Sequence, residues 1–182
     1  DVHGVDRRQR QMCKRDSRRS IRRYIPDEVK NEDIEGMLEA AMYAPSAGNQ
    51  RPWEFIVVRN EAMREIMSKT GPYSFHAAKA PVVILVCGDS LHETHKNYWP
   101  VDCSAATENI LLEATARNLG SVWLGVYPRQ ERMEYLSHLF QLPEHIHPFA
   151  MVCIGYANEK PPARGFYDPS KVSWEKFGNK KV

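Results

Sequence analysis

Arg18, Arg19, Ser20 and Arg22 place three guanidinium groups and a hydroxyl within five positions. A guanidinium is a planar fork whose N–H groups can bind two oxygens at once, which suits phosphate and carboxylate. In an extended segment Arg18, Ser20 and Arg22 project to one side, so a single anion can meet all three. A solvated charge run is the competing reading of the same residues. A second stretch, Ala44-Pro45-Ser46-Ala47-Gly48-Asn49-Gln50-Arg51-Pro52-Trp53, holds two prolines, a glycine and an asparagine, which force a loop. Its hydroxyl and amide groups can hydrogen-bond the edge of a flat, polar ligand. An ordinary helix-to-strand connection would also look like this.

Side-chain catalysis finds little support. There is no GxSxG elbow, no GxGxxG after a strand and no GxxxxGK[ST] loop, so neither a hydrolase elbow nor the usual nucleotide folds are indicated. His92 and His95, and His145 and His147, have spacings compatible with a metal pair. No cysteine or carboxylate stands at a convincing spacing from them, so no metal site is expected. The paired carboxylates Glu32 and Asp33 look like charges at a helix N-terminus. With no acid, base or nucleophile to assign, no catalytic side chain is expected, and any redox chemistry would be a cofactor's.

Composition sets the frame. A chain of 182 residues, 42% hydrophobic and 26% charged, is expected to form one domain, burying about 70% of its unfolded surface. A net charge of +2 is too small for a nucleic-acid track. The basic residues gather instead between Arg7 and Arg23, which suits one anionic ligand better than a polyanion. No apolar run approaches the ~20 residues that span a bilayer, and the polar N-terminal stretch shows no signal-peptide pattern. Cys13, Cys87, Cys103 and Cys153 are scattered, without a CxxC; buried thiols in a reducing cytoplasm are expected.

The elements that must position these groups follow from periodicity. Residues 5–17 predict a short amphipathic helix, and residues 18–24 an extended connection to Pro26. Asn31 is expected to cap a helix whose Ile34, Met37, Leu38, Ala41 and Met42 form one apolar face, stopped by Pro45. A strand over 54–58 and a short helix over 61–69 come next. The run 81–87 predicts a strand covered on both faces. Residues 89–100 are expected to be an exposed loop or lid. The longest helix is expected from about Asp102 to Leu119, with Gly120 as its C′ residue. Strands over 121–126 and 149–156 flank a helix over 129–140. From Asn158 the tail is rich in proline, charge and aromatics, with too little periodicity to fold alone; packing across another surface is expected. The order implies a layered sheet with covering helices, α+β or α/β.

Four stretches together, RRSIRRY at 18–24, APSAGNQRPWEFIVV at 44–58, DCSAATENILLEATARNLGSVWLGVY at 102–127 and CIGYANEKPPAR at 153–164, resemble the FMN-dependent nitroreductase superfamily, in the family's order. The resemblance implies an α+β fold with a central, mainly antiparallel sheet flanked by helices, in an intertwined homodimer. Residues 1–182 would form one such domain, with the 158–182 tail packing on the partner subunit. It further implies tightly but non-covalently bound FMN, with NADH or NADPH as electron donor and flat nitroaromatic or quinone-like acceptors. Arg18, Arg19, Ser20 and Arg22 would grip the phosphate and approach the pyrimidine end of the ring, and Arg164 would join them. Pro45, Ser46 and Asn49 match a loop that reaches the flavin across the dimer interface. Trp123, Leu124 and Gly125 match a turn whose backbone lies beside the ring. Arg51 departs from the family's usual Gln before Pro-Trp, so a positive charge would stand near the flavin or the substrate channel. His76, Tyr73, Tyr98 and Trp99 are candidates for the substrate side. The superfamily's reductive dehalogenation and flavin fragmentation, or flavin binding without catalysis, are alternatives. A cytoplasmic protein with neither nucleic-acid nor membrane partners is expected.

Overall fold

All eight residues of the strand Val82–Asp89 (β2) are buried, and the fold is arranged to cover both its faces. In the computed structural model, which describes residues 18–162, 165 and 167–180, β2 is an inner strand of a four-stranded sheet of order β1-β2-β4-β3. β1 is Trp53–Val58, β3 is Gly120–Gly125 and β4 is Ile146–Gly155. Every pairing within that sheet is antiparallel, so the layered arrangement is α+β.

Alternation sends the two sets of strand side chains to separate cores. Val82, Ile84, Val86, Ala150, Val152 and Ile154 face α1 (Asn31–Met42) and the long helix Trp99–Ala116. Val83, Leu85, Cys87, Val122, Leu124, Met151 and Cys153 face the other way, against Met67, Ala77 and Leu136. These last belong to α2 (Glu61–Met67), α3 (His76–Lys79) and Gln130–Leu139 (α5), the helix Trp99–Ala116 being α4. Residues 82–87 and 149–154 of the inner strands are therefore continuously apolar. α1 shows the expected stripe, with Ile34, Met37 and Ala41 buried, but Met42 is 53% exposed at its end.

Three expectations need correction. Asn31 is not a cap but the first helical residue: Lys30 precedes the helix, and Asn31 Oδ1 accepts from Arg59 Nη2 at 2.6 Å. The long helix starts at Trp99, three residues before Asp102, so Asp102 sits in its first turn and is 3% exposed. Its stop is Asn118, not Gly120. Asn118 has φ +60°, with its N–H on Thr115 O at 3.1 Å and Leu119 N–H on Ala114 O at 2.8 Å, a Schellman closure. Asparagine tolerates this conformation almost as glycine does. Gly120 is thereby released to open β3, where Ile21 packs on it; a Cβ there would stand 2.6 Å from Ile21 Cγ2. The expected helix over residues 5–17 lies outside the described residues.

Candidate functional site

β3 is an edge strand, and the arginine segment fastens to it. Ser20 bridges Ser121 in parallel, and Ile21 N–H donates to Ser121 O at 2.9 Å. Ile21 itself is buried. One apolar residue in a charged run thus anchors the segment and leaves its neighbours to face outward. At the other end Tyr24 bridges Ala157 and donates its hydroxyl to Ile21 O at 2.5 Å. Burial pushes the Tyr24 phenol far above its ordinary value, with the Cys153 and Glu159 charges adding to the rise; it serves as a fixed strut.

The consequence is a cleft of about 190 Å³ lined by Arg18, Arg19, Ser20 and Arg22, closed by Glu159, Pro161 and Pro162. Arg19 Nε donates to Pro162 O at 3.1 Å, and Arg18 Nε stands 3.9 Å from Glu108 Oε1 on α4. Glu159 Oε1 accepts the backbone N–H of Arg22 at 2.5 Å and of Arg23 at 3.1 Å. That carboxylate stitches the tail to the arginine segment. Among the described residues that line the cleft, three guanidinium groups and one carboxylate leave two net positive charges, matching a phosphate monoester of about −1.5 to −2. Ser121 Oγ, in the adjoining strand, is buried and finds no partner among the described residues. Four residues further along β3, about 13 Å away, Gly125 is exposed, and a Cβ placed on it would touch nothing within 4 Å. A flat ring can therefore approach that backbone. Gly125 O is held by Arg132 Nη1 at 2.7 Å, while Trp123 packs edge-on against Phe149 and Leu124 is buried. These donors and this open backbone fit a molecule with a phosphate at one end and a planar ring at the other.

The proline-bounded loop forms a separate feature; none of its residues lines the arginine cleft. Gly48, Asn49 and Arg51 all have positive φ, +53°, +58° and +49°, giving a tightly wound turn. Ser46 Oγ accepts Arg51 N–H at 3.0 Å and Asn49 Oδ1 accepts Arg51 Nε at 2.9 Å. Within its own chain Arg51 lies with Glu35, Leu38, Glu39, Met42 and Tyr43 along α1. Pro45 and Asn49 are exposed. Asp102 fixes the loop from below, accepting Ala47 N–H at 2.9 Å and Gln50 Nε2 at 2.7 Å.

The substrate-side candidates disperse. Trp99 joins an aromatic cluster with Tyr127, His147 and Phe149, while Tyr98 and Tyr73 are exposed. His76 sits where Arg22 acts on it. Burial first, then the Arg22 and Lys79 charges, hold its imidazole below the ordinary range, and its Nδ1 is buried with no partner among the described residues. His92 Nδ1 meets Asp89 Oδ2 at 2.6 Å. Among the described residues no three His, Cys, Asp or Glu side chains gather as a metal set. Cys87, Cys103 and Cys153 are buried free thiols. Arg164 lies outside the described residues. Sequence reading missed Glu159, Asp102 and Gln50. Asp102 carried a usable signal, an acid flanked by apolar residues in a helix that buries most of its surface; Glu159 carried none.

The nitroreductase family model matches residues 16–70 and 63–156. A protein of Methanothermobacter thermautotrophicus, whose provisional name pairs NADH dehydrogenase with NAD(P)H nitroreductase, is 47% identical over 161 residues, covering 88% of this chain and 84% of its own. Among solved structures, a Clostridium acetobutylicum protein provisionally described as an NADH oxidase superposes with a TM-score of 0.87 at 39% identity, covering 90% of this chain and 99% of its own. A Desulfovibrio desulfuricans protein provisionally described as a nitroreductase, solved in complex with FMN, superposes with a TM-score of 0.79 at 28% identity, covering 91% of this chain and 96% of its own.

Proposed function

This chain belongs to the nitroreductase family, and from that premise we propose that it is a homodimeric, FMN-dependent NAD(P)H oxidoreductase. The observation that carries the reading is the convergence of Arg18, Arg19, Ser20 and Arg22 on one cleft beside the end of β3. FMN, when bound, supplies the transfer of reducing equivalents from a nicotinamide to a flat acceptor such as a nitroaromatic or a quinone. The chain's own residues do the rest. Arg18 and Arg19 hold the phosphate through charge-assisted hydrogen bonds, each contributing about 1.5–3 kcal/mol, and Arg164 joins them. Arg22 places a fixed positive charge at the pyrimidine end of the ring, which favours the reduced state. The exposed Gly125 lets the ring lie against the backbone of β3.

Because the loop 45–51 stands apart from its own chain's cleft, Pro45, Ser46, Asn49 and Arg51 serve the cleft of a second subunit. The start of the 158–182 tail stays on its own chain, where Glu159 and Pro162 meet the arginine segment, while its later part, whose Tyr167, Trp174 and Phe177 are exposed, packs on that subunit. With FMN held in this cleft, donor and acceptor would share one open face of the ring, and ping-pong kinetics would follow. Among the described residues no helix is long and apolar enough to cross a membrane, and the free buried thiols suit a reducing cytoplasm.

The test is direct. Purified protein should show a flavin spectrum or acquire one on titration with FMN, bleach anaerobically with NADH or NADPH, and recover colour with a quinone or nitroaromatic. Colourless protein that takes up no FMN would sink the reading; bound FMN that neither nicotinamide bleaches would remove the oxidoreductase part.

A further inference from the structure

One buried carboxylate controls two exposed segments through a single amide. Asp102 is 3% exposed, and it accepts two hydrogen bonds from the proline-bounded loop, one from Ala47 N–H and one from the Gln50 side-chain amide. The far end of that amide, Gln50 Oε1, accepts His95 N–H at 2.9 Å. Since a carboxylate only accepts and a backbone N–H only donates, the amide has one workable orientation, NH2 toward Asp102 and oxygen toward His95. The His95 ring also closes over Gly48, where a Cβ would run into it. Residues 93–98, including the exposed Tyr98, are in this way fastened to the loop bearing Ser46, Asn49 and Arg51.

We propose that Asp102 and Gln50 are positioning residues, forming a relay of fixed polarity that holds the 93–98 segment and the 45–51 loop as one wall of the site. The proposal rests on the oxidoreductase reading for what that wall encloses, but not for the relay itself. Asp102→Asn keeps size and shape and reverses the polarity at one atom. The oxygen of the new amide can still accept Ala47 N–H, but its NH2 now faces Gln50, which must turn its own oxygen inward. Gln50 then presents NH2 to His95 N–H, donor against donor, and the 93–98 segment lets go. Adding Gln50→Glu restores an acceptor at both ends, because a carboxylate there accepts from the buried amide and from His95 together.

The experiment measures the His95 amide exchange rate by NMR in flavin-free protein, so it reads the relay whether or not FMN binds. Asp102→Asn should speed exchange about threefold to tenfold, and Asp102→Asn/Gln50→Glu should bring it back to within about twofold of wild type. Gln50→Met, which removes the amide without touching the buried position, should speed it as Asp102→Asn does. In flavin-loaded enzyme KM for the nicotinamide should rise and be restored in the same order. An unchanged His95 rate in Gln50→Met, or a folded double variant as fast as Asp102→Asn, would overturn the proposal. Failure of wild-type protein to take up FMN would instead overturn the oxidoreductase reading, leaving the exchange rates to decide the relay.

Discussion

Ile21→Ala asks whether an apolar residue, rather than the arginines themselves, holds the anion cleft in shape. Ile21 is 7% exposed and packs directly on Gly120, with Cγ2 and Cβ 2.6 and 2.8 Å from where a Cβ would stand. The substitution removes three carbons over a residue that has no side chain to move into the gap. At about 0.8 kcal/mol per buried CH2 the transfer loss alone is about 2.4 kcal/mol, and the residual cavity takes large-to-small changes of this kind to about 2–5 kcal/mol. Because the segment lies on the sheet edge and can partly collapse, the lower half, about 2–3 kcal/mol, is expected. Urea denaturation of flavin-free protein at fixed protomer concentration measures it, and in thermal melting Tm should fall by roughly 4–12 °C for a chain this long. The functional consequence is separable. FMN at 100 times its Kd should stabilise wild type by about 2.7 kcal/mol, and the same concentration should stabilise Ile21→Ala less, although every phosphate donor is still present. A loss below about 1 kcal/mol would refute the packing argument. A full loss of stability with wild-type FMN affinity would refute the claim that this anchor shapes the cleft.

Arg22→Ala in flavin-loaded protein should make the FMN midpoint potential more negative, by spectroelectrochemistry; an unchanged potential removes that role for Arg22. Arg18→Ala should chiefly weaken FMN retention, by about tenfold or more, and flatten the salt dependence of binding in a fluorescence titration. Gly48→Ala, at φ +53° beneath the His95 ring, should destabilise by about 1–2 kcal/mol from the backbone alone, and a neutral result in chemical denaturation would contradict the loop geometry. Stability should also fall on the alkaline side. Burial, with the Glu54 charge adding, pushes the Cys87 thiol up to about 12 from 9.0, and burial raises Cys103 and Cys153 further. The folded state therefore holds these protons longer than the unfolded one, and stability present below pH 9 is lost above it, by up to about 1.4 kcal/mol per pH unit for each thiol. A flat stability profile from pH 9 to 11 would count against three buried thiols.

The sequence announced its inner strands because burial on both faces leaves no polar positions, as in residues 81–87, and announced α1 because burial on one face leaves a stripe. The arginine cluster was legible as an anion site from donor chemistry, and its setting on the edge of β3 was not, since the bridge between Ser20 and Ser121 joins residues about a hundred positions apart. Capping signals misled where tertiary contacts outbid them: Asn31 gives its oxygen to Arg59, and Asn118 takes the left-handed position that Gly120 was expected to fill. Glu159 left no trace because its partners are backbone N–H groups, which nearly every residue carries. Asp102 marked only the expected start of the long helix; its apolar flanks hinted at burial, but not that its oxygens are turned to a loop from another part of the chain.

Comparing FMN with riboflavin by calorimetric titration of flavin-free protein puts the central claim to its most direct test, since the two differ only by the phosphate. If Arg18 and Arg19 capture the cofactor by that group, riboflavin should bind at least about 100-fold more weakly, the equivalent of two lost charge-assisted hydrogen bonds. Equal affinities for the two flavins would contradict it.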